Sequence, residues 1–203
     1  FHVITAGGEQ AVLKIANALE DVALLEAQNA ALRRVAARAR AQDGPPICPL
    51  PLPALDGGDL AAVTAADGRR HWVRLVSYVP GKPFALARPH DDALLADLGR
   101  FLGRLSEALA GFDHPALHRS FHWDVAQAEP VIGRTKDAIA DPQRRVLVAS
   151  LLRRFEAETL PRLPDLRHAV IHGDANDYNV LVAGGQVTGI LDFGDMVYSV
   201  LAA

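Results

Sequence analysis

The sequence predicts an α+β chain in two unlike lobes: a small β-rich lobe holding one long helix, then a larger, mainly helical lobe carrying one hairpin. Three observations predict this. Short apolar and β-branched runs, each bounded by turn residues, cluster in the first third of the chain. Two long stretches repeat apolar residues at three and four positions, the helical period. Between them Tyr78-Val79-Pro80-Gly81-Lys82-Pro83 breaks every pattern, and its prolines restrain it to an extended passage. That passage sets the boundary between residues 1–79 and 80–203. Strands with one helix, followed by helices with one hairpin, is the order of an α+β architecture.

In the first lobe, Phe1 to Ile4 and Gln10 to Ile15 flank Thr5-Ala6-Gly7-Gly8-Glu9, which reads as a hairpin. Its second strand contains Lys14, which reads either as an edge-strand lysine facing water or as a functional cation. Ala18 to Ala41 reads as a helix, with Val22, Leu25, Asn29, Leu32, Val35 and Ala39 on one stripe. Glu26 sits beside that stripe and, taken alone, reads as a solvated helix glutamate. Asp43 to Pro53 is a proline-rich connector. Leu60 to Thr64 and His71 to Val79 then read as strands around the turn Ala66-Asp67-Gly68.

In the second lobe, Asp91 to Leu109 is an amphipathic helix with Leu94, Leu95, Leu98, Phe101, Leu102, Leu105 and Leu109 on one broad core face, stopped by Gly111. Phe121 to Ala140 is weakly patterned, and Gln143 to Thr159 is a third helix. His114, His118 and His122 recur every fourth residue, but Pro115 spoils a helical ligand geometry there. The terminal run Ser199-Val200-Leu201-Ala202-Ala203 reads as the start of a helix. The chain begins in mid-strand without a methionine, so it is expected to be a piece of something longer.

Chemistry is concentrated between Val170 and Asp195. His168 to Asp174 is a short apolar approach ending in His172-Gly173-Asp174, and Asn179 follows in an Asp-x-x-x-x-Asn spacing. Val180 to Val182, the turn Ala183-Gly184-Gly185 and Gln186 to Leu191 form a hairpin that delivers Asp192-Phe193-Gly194-Asp195. One hairpin thus joins two acid-bearing loops around one small volume. Phosphoryl transfer needs such a set: an Asp to take the proton of an attacking hydroxyl, and a carboxylate with an amide oxygen to hold Mg²⁺ against nucleotide phosphates. The spacing is the kinase pattern, with Gly173 where protein kinases carry arginine. With that anchor, Lys14 and Glu26 suit the strand lysine and helix glutamate of a nucleotide phosphate site. Ser77-Tyr78-Val79 suits the hinge that meets the base.

From Val12-Leu13-Lys14-Ile15 to Ile190-Leu191-Asp192-Phe193-Gly194-Asp195 the chain resembles the aminoglycoside phosphotransferase and choline kinase superfamily. The stretch Ile171-His172-Gly173-Asp174-Ala175-Asn176-Asp177-Tyr178-Asn179 looks most like its hydroxylysine kinase branch. The resemblance implies a protein-kinase-like fold and transfer from ATP or GTP to a hydroxyl of a small molecule, with hydroxylysine or a related amino alcohol as acceptor. It implies Asp174 as catalytic base, Asn179 and Asp192 as Mg²⁺ ligands, and Lys14 paired with Glu26 on the phosphates. Asp195, Asn176 and His172 are candidates for shaping the substrate pocket or its loop. The family's first strand and phosphate-covering loop are expected before Phe1, and its last helices after Ser199. Relatives of this branch include fusions to class III aminotransferases, so a downstream domain is a further expectation.

Hydrophobic residues make up 50% of the chain and charged ones 22%, the balance of a globular rather than disordered protein. A net charge of −3 without charge blocks supplies no pull towards nucleic acid or an anionic membrane. No apolar run approaches the roughly 20 residues of a bilayer span. Cys48, the lone cysteine, reads as a small packed apolar residue, and the cytoplasm is the expected location. Two other readings stay open: a non-catalytic nucleotide-binding or scaffold module built on a kinase fold, and a hydrolase using His172, Asp174 and Asp192.

Overall fold

The computed structural model describes residues 1–41 and 44–202; Asp43, where the proline-rich connector was expected to start, and the terminal Ala203 lie outside the described residues. Contacts divide the chain into two compact units, Phe1–Ala110 with Asp174–Gly194, and Gly111–Gly173 with Asp195–Ala203.

The first unit is built on an antiparallel sheet. Strand β1 (His2–Ile4) turns back into β2 (Gln10–Ile15), and the Thr5 amide donates to the Glu9 carbonyl at 2.9 Å to close the turn. The 19-residue helix α1 (Val22–Arg40) starts later than its apolar period suggests because Asp21 caps it, accepting from the Ala23 amide at 2.9 Å. Arg38 and Arg40 fall in its last turn, where cations suit the helix dipole. Strands β3 (Pro51–Leu52) and β4 (Ala61–Thr64) both pair with the long β5 (Arg70–Ser77), giving the order β1-β2-β5-β3. Strand β2 lies between β1 and β5, so Lys14 is on an interior strand and not on an edge.

After β6 (Lys82–Pro83), helix α2 (Asp92–Leu109) begins at the N-cap Asp91, which accepts from the Leu94 amide at 2.9 Å. Its last carbonyls would be orphans, but Arg34 of α1 donates to the Ala108 and Ala110 oxygens. Phe101 and Leu105 are buried on the predicted face. Cys48 is fully buried, as expected of a packed apolar residue.

In the second unit, α3 (Ala128–Thr135) and α4 (Pro142–Arg154) supply the helices, α4 being capped by Asp141. Strand β7 (His168–Ile171) leads to the acid-bearing loop. Two strands of the first unit, β8 (Val180–Ala183) and β9 (Gln186–Ile190), form the expected hairpin. The terminal run is not a helix: β10 (Val197–Val200) pairs antiparallel with β7, with Tyr198 opposite Val170. Four apolar residues cannot tell the two states apart. Here a partner strand exists, and the buried Ser199 hydroxyl donates to buried Asp124. Among the described residues no helix is long and apolar enough to cross a membrane.

Gly173 has φ 77°, and a Cβ there would fall 2.3 Å from the carbonyl oxygen of Asp195. Gly173→Ala is therefore expected to lose about 2 kcal/mol or more of stability, read from denaturant midpoints. Burial pushes the Cys48 thiol up to about 12 from an ordinary 9.0. The folded state disfavours the thiolate, so this contribution is whole below pH 9.0 and is lost as pH rises from there towards about 12. Wild-type stability should fall across that range by up to about 1.4 kcal/mol per pH unit, and Cys48→Ala should remove that component of the fall.

Candidate active site

The loop after Gly173 is held by its own side chains. Asn176 donates from Nδ2 to Asp174 Oδ1 at 2.7 Å, while its Oδ1 accepts from the Tyr178 and Asn179 amides at 2.8 and 3.1 Å. Asn179 Nδ2 donates to Asp174 Oδ2 at 2.7 Å and to the Asp174 carbonyl at 3.0 Å. Both partners of that nitrogen are acceptors only, which fixes the amide orientation and turns Asn179 Oδ1 away from Asp174. The Leu191 amide then donates to the Asn179 carbonyl at 2.8 Å, tying this loop to the far end of the hairpin.

That far end carries Asp192 at φ 54°, the left-handed region, which costs a non-glycine residue about 1–2 kcal/mol. Strain at such a position accompanies a turn held for function. Its Oδ1 accepts from Lys14 Nζ at 3.3 Å, across 178 positions of sequence. Lys14 and Asp192 line two cavities. One, of about 220 Å³, is also bounded by Val12, Ser77, Tyr78, Val79 and Asn179. The other, of about 450 Å³, also takes in Glu20, Gln28, Trp72 and Arg74. Lys14, Asn179, Asp192 and the Ser77–Val79 segment are thus brought together.

Three placements differ from the simplest expectation. Glu26 lies on the exposed side of α1 and lines neither cavity; the α1 residues at Lys14's cavity are Leu25 and Gln28, the latter two positions on from Glu26 and about 200° round the helix. At the hinge, the Ser77 amide already donates to the Leu50 carbonyl at 2.8 Å and the Tyr78 amide to Gln10 at 3.3 Å. Val79 is then the hinge residue whose amide has no acceptor among the described residues. His172 and Asp195 belong to the second unit: His172 is buried just after β7, and Asp195 closes the short turn Phe193–Asp195 whose carbonyl packs on Gly173.

Arg74, Gln28 and Glu20 were not singled out from sequence. The signal for Arg74 was present: β5 alternates, and an arginine stands in the phase of buried Val76. Arg74 Nη1 donates to Asn29 Oδ1 at 2.7 Å and Nη2 to Gln28 Oε1. Burial pulls its pKa down, and the charges of Asp192 and Glu20 oppose that pull.

A divalent cation fits these residues. Asp192 offers a carboxylate, and the amide orientation of Asn179 leaves its oxygen to coordinate. Among the described residues no group of three or more His, Cys, Asp or Glu could hold a metal by itself.

All 203 residues match the model of the phosphotransferase enzyme family. The chain is 36% identical to the hydroxylysine kinase of Mus musculus over 154 residues, covering 68% of this chain and 40% of the mouse protein. It is 29% identical to the hydroxylysine kinase of Danio rerio over 209 residues, covering 97% of this chain and 57% of the fish protein. The chain therefore spans about half the length of the curated relatives it matches. Among solved structures, an amicoumacin kinase complexed with AMP-PNP, Ca²⁺ and Ami superposes with a TM-score of 0.65 at 18% identity, over 97% of this chain and 56% of that one. A microcompartment-associated aminopropanol kinase superposes with a TM-score of 0.60 at 23% identity, over 95% of this chain and 60% of that one. These two likenesses bear on the fold alone, which is the expected α+β, protein-kinase-like one. With every residue matched, the chain belongs to the phosphotransferase enzyme family, and its similarities lie on the hydroxylysine kinase branch.

Proposed function

We propose that this chain carries the nucleotide- and metal-binding core of a small-molecule kinase, moving the terminal phosphoryl group of ATP or GTP to a hydroxyl of hydroxylysine or a related amino alcohol. The observation that carries the reading is the convergence of Lys14, Asn179 and Asp192, with Asp174 bonded to Asn179. In this reading Asp174 accepts the proton of the acceptor hydroxyl and orients its oxygen. Asn176 and Asn179 fix that carboxylate, so no reorganisation is needed when the proton moves. Asn179 and Asp192 hold Mg²⁺, which would neutralise phosphate charge, and Lys14 meets the phosphates. The Val79 amide is the group at the hinge that offers a hydrogen bond to the base. The same reading divides the chain at residues 79 and 80 and places the protein in the cytoplasm. The acceptor class is supported by the similarity to hydroxylysine kinases.

The test is an assay of ATP and GTP against hydroxylysine and simple amino alcohols, paired with calorimetry of each nucleotide with and without Mg²⁺. Asp174→Ala should lower turnover by roughly 10²–10⁴ while leaving nucleotide affinity nearly unchanged. Asp192→Ala should instead weaken Mg²⁺-dependent nucleotide binding. Absence of metal-dependent nucleotide binding in the wild type would favour the scaffold reading, and phosphate release that no acceptor accelerates would favour a hydrolase. Asn176→Ala should lower turnover about tenfold, equivalent to about 1.4 kcal/mol, with nucleotide affinity intact. An unchanged rate would deny Asn176 its loop-shaping role.

A further inference from the structure

Strands β2 and β5 set Lys14 directly opposite Arg74, so the two side chains leave the same face of the sheet. Cations so placed repel each other, and the arrangement is unfavourable without a compensating anion. Arg74 is only 8% exposed, yet among the described residues no carboxylate lies within ion-pair distance of it. Its hydrogen-bond partners are the amide oxygens of Gln28 and Asn29, neighbours on α1. Accepting from Arg74 also commits the Asn29 amide, whose Nδ2 is left buried without a partner. An unmade bond of that kind is destabilising.

Stability alone does not explain this choice. A carboxylate at position 28 or 29 would neutralise the guanidinium, whereas two neutral amides aim it and leave its charge unspent. A guanidinium has five N–H donors, and the two bonds to the amides leave the others for a ligand. Arg74 and Gln28 both line the 450 Å³ cavity that Lys14 and Asp192 share, so the held cation stands at the wall of an open space. Arginine also remains charged under burial that would neutralise a lysine.

We propose that Arg74 is a second phosphate-binding cation of this site, presented beside Lys14 by a clamp of Gln28 and Asn29, and that the cavity between them takes a polyphosphate chain. The inference rests on the nucleotide-dependent reading above and adds to it a residue that reading does not use.

Calorimetry with inorganic tripolyphosphate, ADP and AMP tests it on the wild type and on Lys14→Met, Arg74→Met and Arg74→Lys, with thermal melts of the ligand-free proteins. Arg74→Met should weaken tripolyphosphate and ADP by about ten- to a hundredfold, the loss expected for charge-assisted bonds, and AMP by less than about threefold. Its ligand-free melting point should not fall, because the variant removes a buried charge facing Lys14. Arg74→Lys keeps the charge without the fork and covers the case of a Met variant that fails to fold; it should also bind tripolyphosphate more weakly than wild type. Wild-type polyphosphate affinity in the Arg74 variants, with binding lost in Lys14→Met, would overturn this inference and leave the kinase reading standing. A wild type that binds neither tripolyphosphate nor nucleotide would overturn both.

Discussion

The Ile190 amide donates to the Ile47 carbonyl at 2.9 Å, and through that bond the hairpin carrying both acid-bearing loops is fastened to a segment far upstream in sequence. Neighbouring bonds repeat the attachment. Val187 donates to Asp97 of α2 at 2.8 Å, Ala85 donates to the Asp177 carbonyl at 2.8 Å, and β6 pairs with β8. Gly189 allows the approach, since a Cβ there would lie 2.8 Å from Val79 Cγ1. Everything at the site follows from this seating. It brings Asp192 to Lys14 and Asn179 to the hinge segment, residues that no local preference would bring together.

The contacts made there are poor stabilisers. Lys14 and Asp192 keep 39% and 58% of their side-chain surface, and exposed pairs of this kind are worth about 1 kcal/mol at most. Asp192 adds left-handed strain of similar size. Arg74 faces a like charge and leaves an amide of Asn29 unsatisfied. These terms are offset by apolar packing away from the site, where Leu32, Val35, Cys48 and Phe101 are buried. Unfavourable polar geometry held in place by a well-packed scaffold is what a binding site looks like before its ligand arrives.

The parts of this site that sequence disclosed are those whose chemistry demands local spacing. Asp174 and Asn179 sit on one short loop, and Asp192 ends the hairpin that the loop begins, so their convergence could be read from residue order. Lys14 was visible because a charge in an apolar strand asks for a reason. Glu26 was harder, since assigning a helix residue to a site requires the phase of the helix, and a shift of two positions turns the side chain to water. Gln28 carries no charge and so drew no notice. Arg74 was missed although its phase in β5 marked it, because its use depends on Lys14 lying opposite it on the neighbouring strand, which is tertiary information. Val197–Val200 paired as a strand because β7 was available, which is tertiary information.

The neutral clamp around Arg74 bears on how such a site remains folded without ligand. The side chains of Lys14, Arg74, Asp192 and Glu20 line one cavity, so these four charges sum to zero, while among the described residues one direct ion pair, Lys14 with Asp192, forms between them. Neutrality at long range limits the repulsion that would otherwise loosen the sheet, and the absence of direct pairing at Arg74 limits the desolvation an incoming anion must reverse. A carboxylate bonded to Arg74 would improve the ligand-free state and make every phosphate compete with it. Amides at positions 28 and 29 avoid that competition, and the unsatisfied Asn29 nitrogen is the local cost of doing so.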